Sequence, residues 1–163
     1  MKNIDNTEIW ITRDFAVPRA LVFEAWSSAE HWKQWYAPSG CSLSHCDMDF
    51  KVGGELFACI KTPTGYECWC KGVFLEINKP SKLVYSVINT NAEGHRIDPV
   101  SIGMDPEWPG KTIVTVVFTE VDGKTRVTLH QNAPLEVAKR TGAYPSWLSM
   151  LDRLERKLLK TVT

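Results

Sequence analysis

Apolar residues recur at steps of three and four residues near the end of the chain. The stripe falls within residues 145–160 and comprises Trp147, Leu148, Leu151, Leu154, Leu158 and Leu159. Side chains at this spacing share one face of an α-helix, so the pattern predicts a long amphipathic helix. We expect the rest of the chain to pack against its apolar face.

The first part of the chain predicts one strand followed by two short helices. Residues 8–15 alternate apolar and polar side chains, which is typical of a strand with one buried face. Pro18 suits the first turn of a helix, and Ser28 suits the N-cap of the next one. Pro38 and Gly40 end that second helix.

Six further strands are predicted from alternation and from the turns between them. They are residues 41–50, 56–62, 66–78, 83–89, 112–121 and 124–132. Asp122 and Gly123 form the favoured two-residue hairpin turn between the last two. Pairing Val121 with Lys124 then directs Phe118 into the protein.

The cysteines are expected to be free thiols. Their number, five, is odd, and the first residues of the sequence lack the apolar core of a secretion signal. If residues 62–65 form a tight four-residue loop, Cys59, Cys68 and Cys70 share one face of the sheet. A Cys-x-Cys pair in a strand splays its sulfurs, unlike the knuckles of structural zinc sites, so we predict no metal. We interpret these cysteines as small buried apolar residues, with an exposed thiol-lined patch as the alternative.

Histidine and aspartate alternate along the predicted strand 41–50. His45, Asp47 and Asp49 share one face, and a His–Asp pair two residues apart is a candidate for acid–base chemistry. The apolar residues between them instead favour a polar outer strand face, which is the interpretation we prefer. His130 faces outward by the register of the last hairpin. The sequence holds no convincing catalytic constellation, so whether the chain is an enzyme stays open.

Charge and length exclude several classes of function. Lys plus Arg and Asp plus Glu both number 19 in 163 residues, so no overall basic field attracts nucleic acid. No apolar run approaches the roughly 20 residues that span a bilayer. With no secretion signal recognisable, we predict one cytoplasmic domain over residues 1–163, with its core at about 8–160.

One long segment, residues 90–111, has no regular pattern and is rich in Gly, Pro and Asp. Irregular loops of this length are often lids over binding sites. We predict that His95, Arg96, Met104 and Trp108 belong to such a lid.

The order of one strand, two helices, six strands and a long helix is typical of the α+β class with a strongly curved antiparallel sheet. Five segments add to this order: VFEAWSSAEHWKQWYAP, DFKVGGELF, GVFLEINKPSKLVYS, TRVTLHQN and SWLSMLDRLERKLL. Together they resemble the activator-of-heat-shock-protein-90-ATPase homologue family, within the START-like (SRPBCC, helix-grip) superfamily. The resemblance covers residues 8–159.

This resemblance implies a seven-stranded sheet that grips the C-terminal helix and leaves a cavity between them. Members of the superfamily bind lipids, sterols, polyketides and other apolar molecules, and some are cyclases or dehydratases. Ser146 stands where family members often have glycine before the tryptophan of the last helix, which implies a reshaped space beside Trp147. The family name implies a stress-response role, and the family pattern supplies no catalytic set to transfer.

We therefore predict that the chain binds a small, mostly apolar ligand of lipid, sterol, polyketide or aromatic type between sheet and helix. The side chains expected to line this cavity are Trp35, Met48, Leu56, Trp69, Tyr85, Phe118, Trp147 and Leu151. The alternatives are a cyclase, dehydratase or hydrolase that uses the same cavity, and a chaperone-associated interaction module. We predict no cofactor, and a chaperone or a second copy of the chain stays open as a protein partner.

Overall fold

The computed structural model describes residues 7–161, which form a seven-stranded antiparallel sheet packed against a long C-terminal helix. Residues 1–6, on which the expectation about a secretion signal partly rests, and residues 162–163 lie outside the described residues. The elements are β1 (Glu8–Phe15), α1 (Arg19–Glu24), α2 (Ala29–Trp35), β2 (Ser42–Met48), β3 (Glu55–Lys61), β4 (Glu67–Asn78), β5 (Lys82–Thr90), β6 (Lys111–Val121), β7 (Lys124–Pro134), α3 (Leu135–Thr141) and α4 (Ala143–Thr161). The predicted α+β helix-grip fold is confirmed.

The sheet order is β1-β7-β6-β5-β4-β3-β2, so the first two strands of the chain form its two edges. Strands β2 to β7 follow one another as antiparallel neighbours, and β1 pairs with β7. We call the face that packs on α4 the inner face and the opposite one the outer face. Helix α2 contributes to the inner core through Trp32 and Trp35, and Ser28 caps it as predicted by accepting from the His31 amide.

The apolar stripe of α4 is centred differently from the sequence expectation. Its buried residues are Trp147, Met150, Leu151, Leu154 and Leu158, whereas Leu148 and Leu159 are 37% and 40% exposed. The prediction was wrong for these two leucines because the buried face extends toward Met150, three residues after Trp147, and away from Leu148 and Leu159.

The β6–β7 hairpin has the predicted register. Val121 pairs with Lys124 and Phe118 pairs with Val127, and Phe118 is 1% exposed. Asp122 adopts a positive φ of 53°, as the two-residue turn requires. This confirms that local turn chemistry fixes the register of the hairpin.

The register between β3 and β4 differs by one residue from the prediction. Lys61 pairs with Glu67 rather than with Tyr66, because the connecting loop has five residues and the Thr62 amide donates to the Tyr66 carbonyl. Cys59 therefore pairs with Trp69 on the outer face, while Cys68 and Cys70 lie on the inner face. The expectation that Cys59, Cys68 and Cys70 share one face was wrong.

Strand β2 contains one extra residue relative to β3. Leu43 pairs with Ile60, but His45 pairs with Cys59, so Ser44 has no partner in the ladder. Such a bulge reverses the faces of the residues that follow it. Leu43 and Cys46 are both buried, and His45 is directed to the outer face.

Strands β4 and β5 approach each other closely at Gly72. A Cβ atom there would lie 1.9 Å from the Ser86 carbonyl oxygen of β5. Only glycine fits this position without a shift of the backbone.

Among the described residues, no helix is long and apolar enough to cross a bilayer.

Candidate functional site

Seven of the eight side chains predicted to line a cavity are brought together on the inner side of the sheet. Trp35, Leu56, Tyr85, Phe118, Trp147 and Leu151 belong to one buried core, and Met48 packs against it. Trp69 is the exception, because it lies on the outer face beside Phe57, at 5.0 Å between ring centroids. The assignment of Trp69 to the interior was wrong because of the same one-residue register shift that separates Cys59 from Cys68 and Cys70.

The interior below α4 is dominated by aromatic rings. Trp26 packs 4.6 Å from Trp35 and 6.4 Å from Trp147, measured between ring centroids. Tyr36 stacks on Trp32 at 4.0 Å. Most of these rings are fully buried, so this part of the interior is filled by the protein itself.

Two tyrosines meet in this aromatic interior. The hydroxyl oxygens of Tyr36 and Tyr85 are 2.7 Å apart, and the two side chains come from the end of α2 and the middle of β5. Burial raises the pKa of both tyrosines well above the usual value for this residue. The pair is therefore uncharged at neutral pH and acts only through hydrogen bonds.

Two linked side-chain hydrogen bonds connect the start of α4 to the middle of the sheet. The Trp147 indole N–H donates to Gln131 Oε1 at 2.8 Å, and Gln131 Nε2 donates to Thr112 Oγ1 at 3.0 Å. Gln131 and Thr112 are buried, so each needs the partner that it has. These contacts fix the orientation of Trp147.

One end of the inner face is not fully covered. Four side chains on the inner face of β3, β4 and β5 remain partly exposed to solvent. They are Ile60, Cys68, Cys70 and Val87. Trp108, from the loop before β6, and Tyr144, from the first turn of α4, are also partly exposed and pack on the same core. We call this region, together with Asn89, the open cleft.

Asn89 is the polar residue of the open cleft. It pairs with Cys70 in the β4–β5 ladder and is 9% exposed. Within residues 7–161, its side-chain amide makes no hydrogen bond and keeps a small contact with solvent. The alternation Leu83, Tyr85, Val87 and Asn89 along β5 was the sequence signal that could have identified it.

The thiols near the open cleft are not activated nucleophiles. Burial raises the pKa of Cys70 to about 12 and that of Cys46 to about 11. Burial also raises the pKa of Cys68. Because the thiolate is the reactive form of cysteine, these groups are inert at neutral pH and provide small apolar surface.

The predicted lid loop is folded back on itself and tied to α3. The Asn91 side chain accepts from the amides of Glu93 and His95, and Thr90 forms a bridge with Arg96. A short 3₁₀-helix follows at Pro99–Ile102. His95 and Arg96 are exposed, whereas Met104 and Trp108 are partly buried and therefore lie closer to the core.

The loop is held to α3 by a charged contact. Arg140 of α3 donates to both carboxylate oxygens of Asp105, at 2.6 and 3.1 Å, and lies 3.3 Å from Glu107. The contact lowers the pKa of Asp105 to about 2. Movement of the loop as a lid stays a prediction, and this ion pair is the contact that such a movement would break.

Helix α4 also holds the segment between α2 and β2. Arg153 Nη1 donates to the carbonyl oxygens of Ala37, Pro38 and Cys41, at 2.6, 3.3 and 3.2 Å. The Ser39 amide donates to Ser149 Oγ at 2.7 Å. The position of this segment is thus set by α4.

The outer face carries a separate group of rings. His45 lies 5.5 Å from Phe57 and 5.4 Å from Trp69 between ring centroids, and its Nε2 is 3.0 Å from Asp47 Oδ2. That nitrogen nevertheless makes no well-aligned hydrogen bond in the described part of the chain. The His45–Asp47 pair is therefore outside the interior, in line with the preferred interpretation of that strand.

Two open depressions occur on the surface, away from the open cleft. One has a volume of about 450 Å³ and is lined by Asp47, Met48, Asp49, Glu55, Leu56 and Phe57. The other has a volume of about 410 Å³ and is lined by Gln34, Lys157, Lys160 and Thr161. Across residues 7–161, no three His, Cys, Asp or Glu side chains converge as metal ligands.

Comparison of the fold with solved structures gives many similar chains. A protein from Nitrosomonas europaea is 24% identical, has a TM-score of 0.77, and the alignment covers 97% of each chain. A protein from Staphylococcus epidermidis is 25% identical with a TM-score of 0.74, covering 98% of this chain and 93% of that one. The AHSA1 protein from Silicibacter pomeroyi is 17% identical with a TM-score of 0.73, covering 94% of this chain and 99% of that one. No curated protein matches the sequence.

The sequence also matches a family model, and the match covers most of the elements just described. It spans residues 16–158, from the segment before α1 to the last turns of α4. By this match, and by the shared helix-grip fold, the chain belongs to the family described as Activator of Hsp90 ATPase homolog 1-like protein.

Proposed function

We propose that the protein binds a small, mostly apolar molecule, of lipid, sterol, polyketide or aromatic type, in the open cleft between β3–β5 and α4. The carrying observation is the partial exposure of Ile60, Cys70 and Val87 on the face that packs against the helix. Apolar surface on an inner face is normally covered by the protein's own side chains. A ligand that covers it gains roughly 25 cal/mol per Å² of apolar area removed from water.

The chemistry around the cleft favours binding over catalysis. The thiols and tyrosines there have raised pKa values because they are buried, so they neither attack nor accept protons at neutral pH. A cyclase or dehydratase needs a group whose pKa lies near the working pH. No such group is found among the inner-face residues of β3–β5.

The test combines ligand discovery with a pair of substitutions on neighbouring residues. Native mass spectrometry of the purified protein detects a co-purified ligand, and tryptophan fluorescence reports titration with fatty acids, sterols, aromatic polyketides and flavonoids. Val87→Phe adds bulk inside the cleft, and Ile88→Phe adds the same kind of bulk on the outer face.

We expect Val87→Phe to weaken binding by about tenfold or more, because a filled site must shift to admit the ligand. Ile88→Phe should bind as the unsubstituted protein does, provided that circular dichroism finds both variants folded. Equal effects of the two substitutions would mean that the ligand binds elsewhere. The absence of any bound or titrating compound would refute the proposal for these chemistries.

A further inference from the structure

We propose that the open cleft selects uncharged ligands that carry a hydrogen-bond acceptor, such as a ketone, ester or alcohol, over carboxylates of the same carbon skeleton. This inference rests on the proposed function and narrows its ligand class.

The interior beside the cleft offers hydrogen-bond donors that lack acceptors. Tyr36 and Tyr85 have two hydroxyl protons between them, and their mutual hydrogen bond uses one. The second proton has no acceptor in residues 7–161. The Trp26 indole N–H is likewise buried without an acceptor there, with its ring 6.4 Å from that of Tyr36.

Asn89 adds a donor at the cleft itself. The residue is 9% exposed and pairs with Cys70, and its side chain makes no hydrogen bond within the described chain. Its amide keeps a small contact with solvent, which a bound molecule would displace. A carbonyl or hydroxyl oxygen of that molecule would replace the hydrogen bonds that Asn89 loses.

The described inner face of β3–β5 supplies no cation to balance a bound anion, and Lys33 of α2 acts through its charge on Cys46 of the neighbouring strand β2. The inner-face positions of β3, β4 and β5 hold no Lys, Arg or His. Arg153 of α4 already donates to three backbone carbonyls, and Arg140 is paired with Asp105. Arg96 is exposed, and its bridge with Thr90 directs it to the outer side of the sheet.

The surroundings of the cleft thiols disfavour negative charge. Burial raises the pKa of Cys70 to about 12, so the thiolate is strongly disfavoured there. A carboxylate that enters the same space gives up its hydration without gaining a counter-ion. A ketone or alcohol has a much smaller desolvation cost and still uses the free donors.

The experiment compares ligands that share a skeleton and differ in charge. The aromatic set is acetylnaphthalene, ethylnaphthalene and naphthoate, and the aliphatic set is undecanone, undecane and undecanoate. Dissociation constants are measured by calorimetry or competition near neutral pH, where both acids are ionised. We expect the ketone of at least one set to bind roughly tenfold or more tightly than its carboxylate.

One substitution tests the donor of the cleft directly. Asn89→Leu should weaken ketone binding several-fold while leaving the hydrocarbon of the same set nearly unchanged, since only the ketone uses the amide. Asn78→Leu makes the same change at the exposed last residue of β4 and serves as the matched control. Thermal melting establishes that each variant is folded.

The outcomes separate this inference from the proposed function. If carboxylates bind as tightly as ketones, or if Asn89→Leu weakens ketone and hydrocarbon equally, the selectivity is refuted while ligand binding stands. If no member of either set binds, the inference falls together with the proposed function for these two classes of ligand.

Discussion

The two hydrogen bonds that link Trp147 to Gln131 and Gln131 to Thr112 lead to a quantitative prediction about stability. Gln131→Met preserves the length of a side chain that is 6% exposed, but it removes the acceptor for the Trp147 indole N–H. A buried donor that has lost its acceptor lowers the free energy of unfolding by about 1–3 kcal/mol. For a chain of this size, each kcal/mol lowers Tm by about 2–4 °C, so the expected fall is about 2–12 °C.

Chemical denaturation followed by far-UV circular dichroism measures the change, and a double-mutant cycle isolates its cause. In a Trp147→Phe background the indole N–H is absent, so Gln131→Met should cost less there by about 1 kcal/mol. Gln34→Met makes the same substitution at an exposed position of α2 and should be nearly neutral. If Gln131→Met lowers the free energy of unfolding equally with and without the indole, the loss of the acceptor does not explain its effect.

Two further predictions concern the close approach of two strands and the loop tether. Gly72→Ala should destabilise the fold by about 1–3 kcal/mol in denaturant titration, because the new Cβ would lie 1.9 Å from a backbone oxygen of β5; a neutral outcome would contradict this packing. The Arg140–Asp105 ion pair lowers the pKa of Asp105 to about 2, so its contribution is present above the ordinary aspartate pKa and is lost as pH falls toward about 2. Protection of the loop amides against hydrogen exchange, taken relative to an unstructured chain at the same pH, should therefore fall at that pH and in Arg140→Gln at neutral pH. Equal protection at neutral pH in Arg140→Gln and in the unsubstituted protein would mean that the pair does not hold the loop.

Local signals in the sequence were sufficient for most of the fold. The Asp122–Gly123 turn determines the pairing of β6 with β7, and Ser28 marks the start of α2 because its side chain accepts an amide of the first turn. These features depend on a few adjacent residues. They are therefore visible without knowledge of the tertiary structure.

Features that depend on an extra residue in one strand or loop were not visible. The loop between β3 and β4 has one residue more than the expected turn, and this placed Trp69 beside Cys59 on the outer face and Cys68 and Cys70 on the inner face. A shift of one residue reverses every side chain of a strand, while the hydrophobic pattern of Cys, Trp and Ile fits both faces about equally well. Composition cannot resolve such an ambiguity.

The candidate site was only partly accessible to sequence reasoning. Tyr85 is one of the residues expected to line the cavity, but its partner Tyr36, at the end of a helix 49 residues earlier, is not. Asn89 was missed because asparagine at the end of a strand is usually a turn residue. Only the three-dimensional arrangement reveals that its amide lacks a partner.

The bulge at Ser44 determines which side chains β2 presents to the interior. With Ser44 outside the ladder, Leu43 and Cys46 face inward, whereas His45 and Asp47 face outward. If Ser44 were paired instead, strict alternation from Leu43 would turn His45 and Asp47 inward and Cys46 outward. One residue left out of an edge strand thus keeps an acid–base pair away from the interior.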